Sequence, residues 1–169
     1  MSSSRGNCLD PLTLGVPGDL LRYAICKLDT LHSDSEINQE LIYKLSGDYL
    51  KEYVNLLKRV DGVTNSTRQM SLLSDLKARP DYHKHMKNND LSKSLEEIHL
   101  YYQQISKRIE MGLQQKTILR DCNTLYAEIY NFFEYLQPIT PRIAKQIKEI
   151  LKSNRPFMYN PLTFEITDQ

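Results

Sequence analysis

The side chains that could carry chemistry are few in this 169-residue chain, and their spacing does not favour a catalytic site. The closest histidine pair, His83 and His85, would face one way on a strand and diverge on a helix, and no third metal ligand follows nearby. The six glycines form neither a G-x-G pattern nor a phosphate-binding loop. We interpret His83-Lys84-His85 as a solvated basic loop and expect neither a metal nor a cofactor.

The carboxylates and thiols lead to the same expectation. Asp48 and Glu52 are four residues apart, and Glu96 and Glu97 are adjacent, so on helices they are typical of solvated charges rather than of paired catalytic acids. The three cysteines are too scattered for a disulfide framework or a zinc site and are expected to be reduced thiols. We therefore expect the chain not to be an enzyme, with no catalytic residues.

Basic side chains are concentrated near the C-terminus. The overall formal charge of +1 excludes a globally basic nucleic-acid coat protein. Residues 142–155 contain one acidic residue, Glu149, and five basic residues: Arg142, Lys145, Lys148, Lys152 and Arg155. This pattern is typical of the solvated face of an amphipathic helix. Residues 142–155 could also meet an acidic protein surface, phosphates or a membrane surface. No aromatic residue interleaves these charges, so nucleic acid is not expected as a partner.

Large apolar side chains form a second candidate surface, on more than one face of the preceding helix. Tyr102 and Phe132 fit the apolar stripe, whereas Tyr101, Tyr130, Phe133 and Tyr135 lie off it. A helix that is apolar beyond one stripe is usually covered on a second side, either by another helix of the same chain or by a partner chain. We predict partner contacts on this helix at Tyr101, Tyr126, Ile129, Tyr130, Phe133 and Tyr135.

The element that must position most of these residues is unusually long. Residues 91–136 contain no proline and one glycine, Gly112, and an unbroken helix of 46 residues would reach roughly 69 Å. The apolar series that ends at Ile109 and the one that begins at Ile118 are out of phase. We predict one helix that changes partners near Gly112, and a bend or turn at that point is the alternative.

The remaining elements follow from helix start and stop signals. Val16-Pro17-Gly18-Asp19 predicts a helix start, Ser33 and Glu36 a capping box, and Thr140-Pro141 another start. The residues after Pro156 are aromatic and extended in character, and we include Phe157, Tyr159 and Phe164 among the interaction candidates. The predicted organisation is a flexible arm over 1–15, a helical domain over 16–155 and an extended tail over 156–169. The predicted helices cover 16–32, 34–61, 67–78, 90–136 and 141–154.

These observations predict an all-α, elongated bundle with coiled-coil-like helices. The expected function is that of a non-enzymatic subunit of a larger assembly, of the cytoskeletal, spindle, kinetochore or tethering type, that contacts other helical subunits. The alternative is a self-contained helical bundle, an adaptor that binds a peptide or helix in a groove. No apolar run is long enough to span a membrane and no secretory signal is visible, so we expect a cytoplasmic protein, with the nucleus or cytoskeleton as further possibilities.

Overall fold

The protein is all-α, as the sequence predicts. The computed structural model describes residues 15–28, 37–64, 80–115, 122–153, 157–160 and 165–168, and describes side chains within 15–28, 37–60, 81–111 and 124–153. Within these ranges lie six helices and one short two-stranded sheet. The predicted arm over 1–15 lies outside the described residues except for Gly15, as does the predicted helix over 67–78.

The first helix, α1, begins where the proline and acid signals place it. It spans Gly18–Lys27 and follows Pro17. Leu28 already has an extended backbone, so the helix ends before the predicted residue 32, and residues 29–32 lie outside the described residues. Asp19 lies in its first turn, where the positive end of the helix dipole stabilises a carboxylate. This carboxylate is nevertheless 94% buried, and its hydrogen bond goes to a different helix.

The second helix, α2, contains an irregular turn. It comprises Gln39–Ile42, a π-helical turn over Tyr43–Gly47, and Asp48–Thr64. The Asn38 side chain caps it by accepting from the amide of Leu41 at 2.8 Å. The predicted capping box of Ser33 and Glu36 lies outside the described residues.

The π-helical turn is where α1 packs on α2. Gly47 is buried there, and a glycine within a helix is best tolerated where a neighbouring helix approaches closely. Ser46 is fully buried, and its hydroxyl donates to the carbonyl of Ile42 at 2.6 Å, which satisfies its polar group inside the core. Tyr49 and Tyr53 follow this turn on α2.

The segment interpreted as a polar loop around His83 is helical. This helix, α3, spans Pro80–Lys87, with proline at its first position, where its missing N–H costs nothing. Tyr82 fastens α3 to the core, because its ring is 95% buried and its hydroxyl donates to the carbonyl of Tyr135 at 2.7 Å. Asn89 then adopts φ +57° and ends the segment.

The predicted single helix over 90–136 is two helices, α4 (Leu91–Gln115) and α5 (Cys122–Leu136). The rings of Tyr101 and Tyr135 are 6.0 Å apart, whereas 34 residues of continuous helix would separate them by roughly 51 Å. The helices are therefore antiparallel. Gly112 lies within α4, so the helix does not end at the glycine where the change of partner was predicted. Folding back allows the second apolar face of α5 to be buried by this chain.

The last helix, α6, spans Pro141–Ser153, close to the predicted range. Thr140 was expected to cap it, but the Thr140 hydroxyl donates to the carbonyl of Leu136 instead. Asp19 of α1 performs the capping role, accepting from the amide of Ile143 at 2.7 Å across 124 positions of sequence. Since Ile143 is the third residue of α6, this bond satisfies one of the unpaired amides at the start of that helix.

The C-terminal tail is extended over its described residues. Strand β1, Phe157–Asn160, pairs antiparallel with β2, Glu165–Asp168, with Phe157 opposite Asp168 and Asn160 opposite Glu165. Strand β2 lies against α6. The tail therefore returns to the helices through its second strand.

A single apolar core joins the helices. Aromatic rings form its centre, with the ring of Phe132 on α5 4.9 Å from that of Tyr53 on α2 and 5.1 Å from that of Phe133. Such edge-on pairs stabilise a core beyond the effect of their buried area. The largest fully buried side chains are Tyr23, Tyr53, Tyr126, Phe132, Phe133, Leu20, Ile42, Leu50, Leu56, Leu57, Ile98 and Ile105.

Candidate functional site

An open cavity of about 430 Å³ lies between α1, α2 and α4. We call it the aromatic groove. Its lining is mostly apolar, and aromatic rings come from all three helices: Tyr23, Tyr49 and His99. The Tyr49 and His99 rings meet edge to face at 5.2 Å, and the Tyr23 and Tyr49 rings are stacked at 6.0 Å. The remaining lining residues are Lys27, Ser92, Leu95, Glu96 and Leu100.

Hydrogen bonds fix these rings from behind. The Tyr53 hydroxyl lies 3.0 Å from the Tyr23 hydroxyl and 3.3 Å from Nδ1 of His99. Nε2 of His99 lies 3.1 Å from the side-chain nitrogen of Gln103. If Gln103 donates to Nε2, then Nδ1 carries the proton and donates to Tyr53, which in turn donates to Tyr23. A neutral imidazole satisfies every group in this chain.

The electrostatic environment favours the same neutral state. Partial burial lowers the pKa of His99, the positive charge of Lys27 lowers it further, and Glu52 opposes this effect. Burial also raises the pKa values of Tyr23 and Tyr53 well above their ordinary range, so both phenols stay protonated. At neutral pH the rear wall of the groove is therefore uncharged.

One cation stands at the groove. The ammonium of Lys27, the last residue of α1, lies 3.4 Å above the centre of the Tyr49 ring. A contact this close is a favourable cation–π interaction. It positions a positive charge beside the aromatic lining, and the exposed carboxylate of Glu96 on α4 also lines the groove.

The basic residues predicted near the C-terminus lie on α6, and we call Arg142, Lys145, Lys148 and Lys152 the cationic face. Arg142, Lys145 and Lys152 are exposed and Lys148 is half-buried, while Arg155 lies outside the described residues. Lys145 pairs with Glu149 at 3.9 Å, and Lys148 bonds to Glu134 and Gln137. These cations face the carboxylates of Glu149 and Glu134, and Arg142 also interacts with the carboxylate of Asp19.

The structure adds an aromatic ring to the cationic face that the sequence did not reveal. Tyr130 of α5 is half-buried, with the ammonium of Lys148 5.5 Å and that of Lys152 5.3 Å from its ring centre. The two lysines follow Tyr130 by 18 and 22 positions, so no local spacing links them. The packing of α6 on α5 brings the ring and the charges together.

The other predicted interaction residues of α4 and α5 mostly belong to the core. Tyr126, Ile129 and Phe133 are fully buried by helices of this chain, which the sequence left open as the alternative to a partner chain. Tyr101 and Tyr135 are half-buried, and their rings contact each other. These residues stabilise the α4–α5 pair.

The tail candidates have less structural detail. Phe157 and Tyr159 lie in β1, where only the backbone is described, and Phe164 lies outside the described residues. Their role in binding stays a prediction.

Among the residues that the structure describes, no group of three or more His, Cys, Asp or Glu side chains is placed to hold a metal ion. No helix in these described parts of the chain combines the length and the apolar character needed to cross a membrane.

The sequence reasoning missed the aromatic groove. Tyr49 and Tyr53 belong to the apolar stripe of α2, which by itself indicates core packing. Tyr23 and His99 lie 26 and 50 positions from Tyr49, on separate helices. The only local signal was the glycine at position 47, which marks the close approach of α1 beside the groove.

Comparison with known proteins gives two similar sequences. The chain is 26% identical over 185 aligned residues to a methionine–tRNA ligase of Herminiimonas arsenicoxydans, and 25% identical over 178 to one of Methylibium petroleiphilum. The alignments cover 89% and 90% of this chain but only 25% and 26% of the ligases. The chain thus spans about a quarter of the length of these relatives. No family model matches the chain. No solved structure matches it either.

Proposed function

We propose that this chain is a non-enzymatic helical module that binds RNA of the tRNA class. The observation that carries the proposal is the alignment of about nine-tenths of the chain with one quarter of two methionine–tRNA ligases. A ligase named for tRNA has to bind that RNA. A helical bundle that matches only one quarter of the ligase is therefore a candidate for a module that binds tRNA and does not catalyse the ligase reaction by itself. The proposal departs from the sequence-based expectation that nucleic acid is not a partner.

The cationic face of α6 supports this proposal as the surface for the RNA backbone. Lysine and arginine side chains that neutralise phosphates release condensed counterions, and this release drives binding in a salt-dependent way. Lys145 and Lys152 are exposed, and Lys152 lies beside the ring of Tyr130. Rings next to cations suit single-stranded RNA, because bases stack on the ring while the cations contact phosphates.

The test measures the affinity of the purified chain for a methionine tRNA transcript by fluorescence anisotropy at several salt concentrations. Lys145→Gln combined with Lys152→Gln should weaken binding about tenfold and reduce the salt dependence by nearly two phosphate contacts. The matched control is Lys44→Gln combined with Lys51→Gln, which removes two exposed lysines from α2. Equal effects of the two pairs would contradict the cationic face as the RNA surface, and no binding by the wild-type chain would contradict the proposal itself.

The absence of enzyme activity belongs to the same proposal and needs its own assay. The relatives are named as ligases, and the chain matches only a quarter of their length. We expect the chain alone to attach no methionine to tRNA in the presence of ATP. Measurable aminoacylation, lost with the protein on immunodepletion, would contradict the non-enzymatic role.

A second proposal is the assembly subunit expected from the sequence. Leu100 and Met111 favour it, because they are 45% and 44% exposed and lie three helical turns apart on one side of α4, where a partner helix could pack. An acidic partner could also contact the cationic face. Static light scattering tests this role on two preparations, the chain purified after recombinant expression and the chain purified from its native host. A monomer in both preparations would exclude the assembly role.

A further inference from the structure

The aromatic groove has the dimensions and lining of a small-ligand site. Its volume of about 430 Å³ falls within the usual range of roughly 300–1,000 Å³ for ligand pockets. Such pockets are mostly apolar with a few polar groups that fix orientation, and here Ser92, Glu96 and Lys27 supply these groups. This volume and this lining suit one small planar group.

The ring positions suit a planar aromatic ligand. Tyr49 and His99 are both half-buried. His99 already stacks on Tyr102, with ring centres 5.6 Å apart, and the Lys27 ammonium covers the ring of Tyr49 at 3.4 Å. A ligand that stacks on Tyr49 therefore has to displace the flexible Lys27 side chain, whose ammonium is then available to an anionic group of the ligand. The hydrogen-bond chain through Tyr53 fixes His99, which reduces the ordering cost that a ligand must overcome on binding. A neutral, fixed imidazole and a tyrosine are the kinds of surface on which nucleobases stack.

The charges distinguish a nucleotide from a plain apolar group. Lys27 provides an ammonium for a phosphate beside the ring of Tyr49. Glu96 provides a carboxylate, which accepts hydrogen bonds from the exocyclic amino group of a base such as adenine, cytosine or guanine. A cation for the phosphate and an acceptor for the base edge are the two groups that a nucleotide needs.

The groove is also near the proposed RNA surface. The first turn of α1 contacts the start of α6 through Asp19, and its last turn lines the groove through Lys27. These two residues are eight positions apart, which corresponds to about 12 Å of helix. A strand of RNA that contacts the start of α6 can reach the groove within a few nucleotides.

We propose that the aromatic groove receives one unstacked, amino-bearing base of the bound RNA. The base displaces the Lys27 ammonium from the ring of Tyr49 and stacks there beside His99, Glu96 accepts from the amino group of the base, and the displaced Lys27 pairs with its phosphate. This inference rests on the proposed function. It assigns to the groove a part of RNA recognition that the cationic face cannot provide, because phosphate contacts carry no base preference.

The experiment uses a single-stranded RNA octamer with 2-aminopurine at its centre, a base whose fluorescence falls when it stacks. Leu100→Trp fills the groove from a position that is 45% exposed, and Leu100→Glu places a second carboxylate there, so neither change disturbs the core. Ile25→Trp is the control, because Ile25 is 39% exposed on α1 and does not line the groove. Circular dichroism verifies that all variants are folded.

The wild-type chain and Ile25→Trp should bind the octamer and quench 2-aminopurine. Both Leu100 variants should bind about tenfold more weakly, the loss expected for one stacked base, and Leu100→Glu should also lose the quenching. An octamer with uracil at the centre should bind the wild type as weakly as the amino-bearing octamer binds the Leu100 variants. RNA binding that is equal in the wild type and the Leu100 variants would overturn the groove assignment alone, and would leave the groove to an apolar side chain of a protein partner. No RNA binding by the wild type would overturn the proposed function as well.

Discussion

The buried carboxylate of Asp19 provides a stringent test of the fold, because one side chain joins the first helix to the last. Its Oδ2 accepts from the amide of Ile143 at 2.7 Å, and Arg22 lies 3.9 Å from its other oxygen. Thr140, the residue before α6, donates its hydroxyl to Leu136 and leaves this amide to Asp19. Replacing Asp19 with alanine should therefore remove the cap of α6 and leave the amide buried without an acceptor.

The expected loss follows from that hydrogen bond. Removal of a helix N-cap costs about 0.5–2 kcal/mol, and a buried unsatisfied amide costs about 1–3 kcal/mol. Both ranges describe the same bond, so we expect Asp19→Ala to lower the free energy of unfolding by about 2 kcal/mol, or the melting temperature by about 4–8 °C. Asp19→Asn keeps a side-chain oxygen at the same place, so it should retain most of the stability.

The pH dependence separates the cap from the charge. Burial raises the pKa of the Asp19 carboxyl, and the hydrogen bond from Ile143 and the charge of Arg22 only partly oppose this effect. In the folded chain the proton is bound more tightly than in the unfolded chain, so the stability contributed by Asp19 falls as the pH rises from the ordinary value of 3.8 through the folded pKa. Asparagine does not titrate, and the stability of Asp19→Asn relative to the wild type should increase over that interval.

Urea denaturation followed by circular dichroism at a series of pH values measures both effects. Asp81→Ala is the control, because Asp81 is an exposed acid in the first turn of α3, and it should change the unfolding free energy by less than about 1 kcal/mol. The reasoning is refuted if the alanine and asparagine variants of Asp19 lose the same stability, since the acceptor for Ile143 would then contribute nothing.

Substitutions at three further positions test the core and the groove. Tyr53→Phe removes the hydroxyl that links Tyr23 to His99 and should cost about 1–2 kcal/mol in urea denaturation, whereas an unchanged midpoint would exclude the hydrogen-bond chain. His99→Gln tests the lowered pKa of His99: the wild type should lose stability as the pH falls below about 6.5, because the unfolded chain binds that proton more tightly, and the variant should lose less. Arg108→Met leaves the carboxylate of Glu128, which is 94% buried, without its cation. The free energy of unfolding should fall by about 2 kcal/mol, which is less than for a fully buried ion pair because Arg108 is 41% exposed. Arg108→Lys should restore part of that loss, and equal stability of both variants would argue against the ion pair.

The elements that the sequence predicts well are those with local causes. Proline at the start of α6 and the residues around Pro17 mark helix starts because their backbone preferences act within one turn. The all-α class follows from the apolar periodicity in the same way. The reversal between α4 and α5 has no such local signal, since the chain between Leu91 and Leu136 contains no proline and Gly112 lies inside α4.

The parts that escaped prediction depend on contacts between distant residues. Asp19 was interpreted as a first-turn acid of α1, yet its main hydrogen bond reaches Ile143. The aromatic groove needs Tyr23, Tyr49 and His99 from three helices, and a periodic pattern records only that each lies on or near an apolar stripe. Such a pattern identifies the face of a helix that is buried, but it does not identify the helix that buries it.

The antiparallel return of α5 along α4 changes where a partner can bind. If residues 90–136 formed one continuous helix, the aromatic rings that lie off its apolar stripe would be exposed and would favour assembly with other subunits. In the folded chain Phe133 is fully buried, and Tyr101 packs on Tyr135 within the same molecule. In the described parts of the chain, the cationic face of α6 and the aromatic groove still present charged and aromatic groups to a ligand. One offers positive charge with a tyrosine ring and the other offers rings with a single cation, and this combination favours a ligand that is both anionic and aromatic.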